Sequence, residues 1–140
     1  MIDLTANYND SDNWRKSTDF GGSPGTIGNL ATSEILINEI LANGNFRQLD
    51  TVELFNPTDT DKDLSQWYLS DSTDNYFKYQ FSAGTIITAG GYLVLDERDF
   101  NAGDGTADRG FLLSSLGDDL TLLSADATGQ PKQFIDRVEF

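Results

Sequence analysis

From residue 50 to residue 71 the chain reads DTVELFNPTDTDKDLSQWYLSD. Val52 and Leu54 alternate with Glu53 and Phe55, giving one apolar and one mixed face, the mark of a half-buried strand. Asn56-Pro57 stops that strand, since proline has no N–H to give to a ladder, and Thr58 to Asp63 carry nothing apolar to bury. Leu64, Trp67 and Leu69 then anchor a return run. The pattern predicts two strands joined by an acidic turn at the centre of an antiparallel sheet.

The same alternation continues on both sides. Ile35 and Ile37 alternate with Leu36 and Asn38, and Ile40-Leu41 closes this first strand before an Asn43-Gly44 turn. Tyr76, Phe77, Tyr79 and Phe81 predict an aromatic strand, with Phe77, Tyr79 and Phe81 on the core side and Tyr76 exposed. Thr85 to Thr88 form a short strand, and Ala89-Gly90-Gly91 turns into Tyr92-Leu93-Val94-Leu95. That is the most apolar run of the chain, and it predicts a central strand of the core. Asp96 to Gly110 reads as a long surface loop, polar and rich in glycine. Phe111 to Leu116 reads as a brief extended segment or a helical turn. Asp119 to Leu123 is another strand, Thr128-Gly129 with Pro131 is a hairpin tip, and Phe134, Ile135, Val138 and Phe140 supply the last strand. Its imperfect alternation predicts a bulge near Asp136. Many short strands with turn signals between them favour an all-β sandwich over a barrel.

Residues 1–32 differ from this β region of residues 33–140. Apolar residues are sparse there, and Gly21-Gly22-Ser23-Pro24-Gly25 is a turn or linker signal, so the segment reads as an N-terminal arm. Trp14 and Phe20 stand out, because a free linker has little use for large aromatics. Docking on a neighbouring surface would explain them.

Composition narrows the chemistry. Hydrophobic residues at 38% and aromatics at 11% exclude a wholly disordered chain. A formal net charge of -14 repels phosphate backbones and anionic membranes, so nucleic acid is not an expected partner and cations are. With no cysteine and no histidine, disulfides, thiolate zinc sites, cysteine nucleophiles and the usual imidazole base are all excluded. No apolar run is long enough to cross a bilayer, and no basic region followed by an apolar one marks a signal peptide.

Six blocks taken in order resemble a known family. ILINEI at 35–40, DTVELFN at 50–56, DLSQWYLSD at 63–71, FSAGTIITAGGYLVL at 81–95, LSSLGDDLTLL at 113–123 and FIDRVEF at 134–140 are similar to the successive blocks of a lamin-tail domain. The resemblance covers about residues 33–140 and implies an immunoglobulin-like antiparallel β-sandwich. It also implies the bacterial branch, whose copies occur in secreted or cell-envelope proteins, often in tandem or beside hydrolases, as non-catalytic tethering or assembly modules. NWRKSTDFGGSPG at 13–25 resembles the segment that follows the last strand of such a domain. The arm then reads as the end of a preceding copy, and the chain as a fragment of a longer protein. The rival reading packs the arm on its own domain, and an arm docked on a neighbour would give a homodimer.

Three constellations could carry chemistry. Asp59, Asp61 and Asp63 have the DxDxD spacing that collects oxygen ligands around calcium, but Leu64 and Ser70 stand where an EF-hand needs glycine and glutamate. Asp96, Glu97, Asp99, Asn101, Asp104 and Asp108 lie in a glycine-rich loop able to wrap a hard cation. For both, the plain alternative is a solvated acidic loop that keeps a sheet soluble. Glu39 and Glu53 fall in strands that could lie side by side, and two carboxylates at the right separation hydrolyse glycosides. Their plain alternative is pairing with a cation or a backbone group. No Ser-x-x-Lys motif supplies an activated serine, so an enzyme is not expected. Trp67 reads as core, while Tyr68, Tyr76, Phe77 and Tyr79 are the best candidates for a sugar-stacking platform. The expected function is a non-catalytic module that attaches a secreted or envelope protein to a protein or cell-surface partner, by loops or an edge strand. A calcium-dependent adhesion or carbohydrate-binding module and a hydrolase are the alternatives.

Overall fold

A computed structural model describes residues 17–24, 34–42, 48–101 and 110–140. Among these residues nine strands and one short helix follow one another: β1 Leu36–Leu41, β2 Thr51–Phe55, β3 Lys62–Asp63, β4 Tyr68–Ser70, β5 Tyr79–Gln80, β6 Ile86–Ile87, β7 Tyr92–Asp96, α1 Glu97–Phe100, β8 Asp119–Ala125 and β9 Pro131–Glu139. They form a three-stranded sheet in the order β1-β2-β7, a two-stranded sheet β3-β6, and a four-stranded sheet β5-β4-β8-β9. Every strand pair is antiparallel. This is the immunoglobulin-like sandwich expected from the blocks and the turn signals.

Alternation decides which side chains meet between the sheets. Ile37, Val52, Leu54 and Leu95 come from the three-stranded sheet, and Leu69, Leu120 and Leu122 from the four-stranded one. Leu64, Trp67, Phe81 and Ile87 join them in the same buried cluster. Burying side chains of this size stabilises by about 1.5–3 kcal/mol each, which is how a chain without disulfides can hold two layers together.

The stretch 50–71 is not the hairpin its pattern predicts. Its two halves are central strands of different sheets: β2 lies between β1 and β7, and β4 between β5 and β8. The acidic turn is therefore a crossover between layers, and β3 within it pairs with β6. Alternation tells a strand which face is apolar, not which strand lies beside it.

Buried Asn56 anchors the crossover. Its Nδ2 donates to the carbonyls of Thr60 at 2.8 Å, Ile87 at 3.0 Å and Thr88 at 3.1 Å. Its Oδ1 accepts from the backbone N–H of Thr58 at 3.0 Å and from the Thr58 hydroxyl at 2.7 Å. One amide thus joins the end of β2, the acidic turn and the turn after β6, satisfying backbone groups that would otherwise be costly to bury.

Tyr92–Asp96 departs from expectation as well. Among the described residues it pairs only with β2 and is an edge strand, with Leu95 buried, Leu93 packed against the core, and Tyr92 and Val94 on the outside. The loop after it begins with α1, whose start is a capping box. Asp96 accepts from the Arg98 N–H at 2.9 Å, and Asp99 accepts from the Asp96 N–H at 2.9 Å. Phe100 is buried and stacks on Phe111 with ring centroids 4.6 Å apart. In β9 the pairing passes from Leu122↔Asp136 to Leu123↔Phe134, so the expected bulge falls at Ile135, beside Asp136.

Candidate functional site

The acidic turn comes first in chain order. Asp61 Oδ1 accepts from the Ala89 N–H at 3.0 Å, tying the turn to the one that leads into β7. Asp63 Oδ1 accepts from the Ser65 N–H at 2.8 Å and from the Ser65 hydroxyl. The hydroxyl bond, then the backbone bond, hold the Asp63 carboxyl below the usual carboxylate range. Asp59 is exposed beside them.

In the second acidic group, Asp96 caps α1 and also accepts from the Arg98 guanidinium, which lowers its pKa and raises that of Arg98. Asp99 completes the capping box. Asp104 and Asp108 lie outside the described residues. Among the described residues, no three acidic side chains converge as a metal ion would need.

Glu39 and Glu53 are register partners in β1 and β2, as their blocks suggested. Glu53 Oε1 accepts from Asn38 Nδ2 at 2.7 Å. The partner is a side-chain amide, neither the cation nor the backbone group of the plain alternative.

The aromatic residues assemble differently from a sugar platform. Tyr68, Leu123 and Phe134 are successive partners across β4, β8 and β9, so their side chains share one face of the four-stranded sheet. Phe77 meets Tyr68 edge-on at 5.0 Å, and Tyr76 meets Phe134 edge-on at 5.2 Å. Phe20 from the arm closes the group, with centroids 6.3 Å from Tyr76, 6.0 Å from Phe77 and 5.8 Å from Phe134. The rings therefore pack on one another at angles instead of lying side by side in one plane. The expected order of exposure is also reversed, for Phe77 is 43% exposed and Tyr76 is half-buried. Tyr79 lies apart, edge-on to Phe81 at 5.0 Å; burial and then the charge of Asp99 push its pKa up.

The arm reaches this cluster as an added strand. Asp19 bridges to Gln133 of β9 in antiparallel sense. The Phe20 N–H donates to the Lys132 carbonyl at 2.7 Å, and the Phe134 N–H donates to the Thr18 carbonyl at 2.7 Å. Phe20 thus docks on its own chain, while Trp14 lies outside the described residues.

The other open surface is the outer side of the three-stranded sheet. Leu36, Phe55 and Tyr92 are successive cross-strand partners, and so are Glu39, Glu53 and Val94. Phe55 and Tyr92 stack at 4.7 Å, and Tyr92 and Val94 remain 58% and 56% exposed. The Asn56 N–H donates to the Gly91 carbonyl at 3.0 Å and the Glu97 N–H to the Asp50 carbonyl at 2.9 Å. In an antiparallel ladder every second pair exchanges such bonds, so Leu93 and Leu95 face β2. The N–H and C=O groups of Tyr92 and Val94 point to the other edge, which no strand among the described residues pairs.

Sequence reasoning missed Asn56 as an anchor, and it also missed Asp50, a buried carboxylate whose Oδ2 accepts from the Leu113 N–H at 3.0 Å. Leu113, Ile87 and Thr88, the partners that make these two residues anchors of the sandwich, are distant in the chain, so no local pattern marks them.

The chain matches the family model of the Lamin Tail Domain over residues 29–140. Comparison with curated proteins returned no match. The family points to an immunoglobulin-like binding module and is generally non-catalytic. With most of its length matched and a sandwich built from the blocks that carry the likeness, this chain belongs to the lamin-tail domain family.

Proposed function

We propose that the domain is a non-catalytic binding module of a larger secreted or cell-envelope protein, and that it engages a protein partner by adding a strand to the free edge of β7. The single observation behind this reading is that edge. Tyr92 and Val94 hold apolar side chains outward, while their backbone groups line the unpaired side of the strand. An edge of this kind is a template for a further strand unless it is blunted by lysine, proline or a bulge. β7 carries neither lysine nor proline, and its pairing with β2 is unbroken. The surroundings select the partner, since Glu39, Glu53 and Asp96 lie on or beside the same face. An extended segment that alternates apolar residues with lysine or arginine satisfies both features, its backbone supplying affinity and its side chains specificity.

Val94→Pro tests this with little damage to the fold. The lost N–H faces outward, so the bonds from β7 to β2 are kept while strand addition is blocked. The probe is a short peptide of alternating valine and lysine, titrated into the isotopically labelled chain and followed by amide NMR shifts. Shifts at Tyr92 and Val94 that vanish in Val94→Pro would support the reading. Shifts confined to other elements, or equal in the variant, would remove it.

A further inference from the structure

The second edge of the sandwich is treated differently. β9 is the outer strand of the four-stranded sheet, and residues Thr18 to Phe20 lie along it through two backbone bonds and the Asp19↔Gln133 bridge. A side-chain bond adds to them, Gln133 Nε2 donating to Asp19 Oδ1 at 3.2 Å. Phe20 then enters the aromatic group of Tyr76, Phe77 and Phe134. Immediately after it, Gly21 and Gly22 hold φ of +80° and +79°, a left-handed pair that turns the chain away from β9. Residues 25–33 separate the arm from the body of the sandwich.

We propose that the β9 edge and its aromatic group form a strand-acceptor site, filled in cis by residues 18–20 and able to take the same residues from a second copy of this chain. The argument is one of equivalence. Among the described residues, the backbone bonds of Thr18 and Phe20, the Asp19–Gln133 bond and the Phe20 ring seat the arm, and a neighbour's arm can make the same contacts. Nothing is gained or lost at the groove by exchange, so the choice between cis and trans is set by concentration alone. A tethered strand has an effective concentration on the order of millimolar, so free chains at micromolar concentration keep their own arms. Copies held side by side on one surface or in one polypeptide reach that density and exchange arms, linking one sandwich to the next. The acceptor favours an aromatic residue, because a ring there meets three others with centroids 5.8–6.3 Å away.

Two full-length variants separate donor from acceptor. Phe20→Ala spoils the donor and leaves the groove empty; Phe134→Ala spoils the groove and leaves the donor intact. Each alone is expected to be monomeric by light scattering. Mixed, they are expected to form a one-to-one complex, because the unused arm of the second enters the empty groove of the first. Introducing Phe20→Ala into both chains is expected to abolish it. If Phe134→Ala does not fold, as circular dichroism will show, a labelled peptide of residues 17–24 replaces it. That peptide is expected to bind the Phe20→Ala chain at least about tenfold more tightly than the parent, whose groove is occupied. A folded pair that stays monomeric on mixing overturns the proposal, as does a peptide that binds parent and variant alike.

Discussion

Replacing Asn56 by alanine should loosen the crossover that joins the two layers. The side chain is fully buried and makes five hydrogen bonds, three as donor and two as acceptor. The bond to the Ile87 carbonyl is the buried one, and leaving that acceptor unmet costs about 1–3 kcal/mol. The bonds to Thr60 and Thr88 are part-buried, so water replaces them at smaller cost. A total near 3 kcal/mol follows, or roughly 9 °C of melting temperature at about 3 °C per kcal/mol for a chain of this size. Thermal unfolding followed by circular dichroism reads it directly. Asn56→Asp keeps the acceptor for Thr58 but turns a carboxylate toward three carbonyl oxygens. Its folded pKa should therefore lie above the unfolded value of about 3.9, so its penalty is present at neutral pH and fades as pH falls through the folded pKa. A shift below about 2 °C for the alanine variant, or a pH-independent loss for the aspartate, would refute the anchoring role.

Leu69→Ala, at a fully buried position of the central strand β4, is expected to lower unfolding free energy by about 2–5 kcal/mol in urea titration. Asp126 accepts from the Thr128 hydroxyl and from the N–H groups of Gln130 and Thr128, which hold its pKa below the ordinary value. Because the unfolded chain takes up that proton first, stability falls as pH drops below about 4, and Asp126→Asn should make the fall in urea midpoint shallower. Asp61 and Asp63 already accept protein hydrogen bonds. Millimolar calcium is therefore expected to shift the melting temperature equally in the parent and in Asp61→Asn; a rise that the variant loses would establish the turn as a calcium site.

Features governed by local period were legible in the sequence. Val52, Leu54 and Trp67 lie in the core that their positions predicted, and the slip in alternation before Val138 marked a bulge. Features governed by a distant neighbour were not. The apolar run Tyr92 to Leu95 has the composition of a central strand, yet only β2 lies beside it among the described residues. Tyr76 and Phe77 depart from their expected exposures within a cluster that Phe20, more than fifty positions away, helps to build by packing on both rings. Phe100 is a lone aromatic in a polar stretch, and its burial depends on Phe111 arriving to stack on it. The acidic clusters were visible as composition, but the donors that occupy Asp61, Asp63 and Asp96 follow from turn and helix geometry that spacing does not encode.

The Phe100–Phe111 stack acts as a clasp at the neck of the excursion between them. The Phe111 N–H donates to the Phe100 carbonyl at 3.2 Å and the Gly110 N–H to the Lys78 carbonyl at 3.1 Å, so both ends are fastened to the sandwich. A segment of another length spliced between these two rings is expected to keep both bonds. Such a neck is a natural grafting point, where foreign epitopes or recognition sequences of varied length could be displayed without redesigning the fold that carries them.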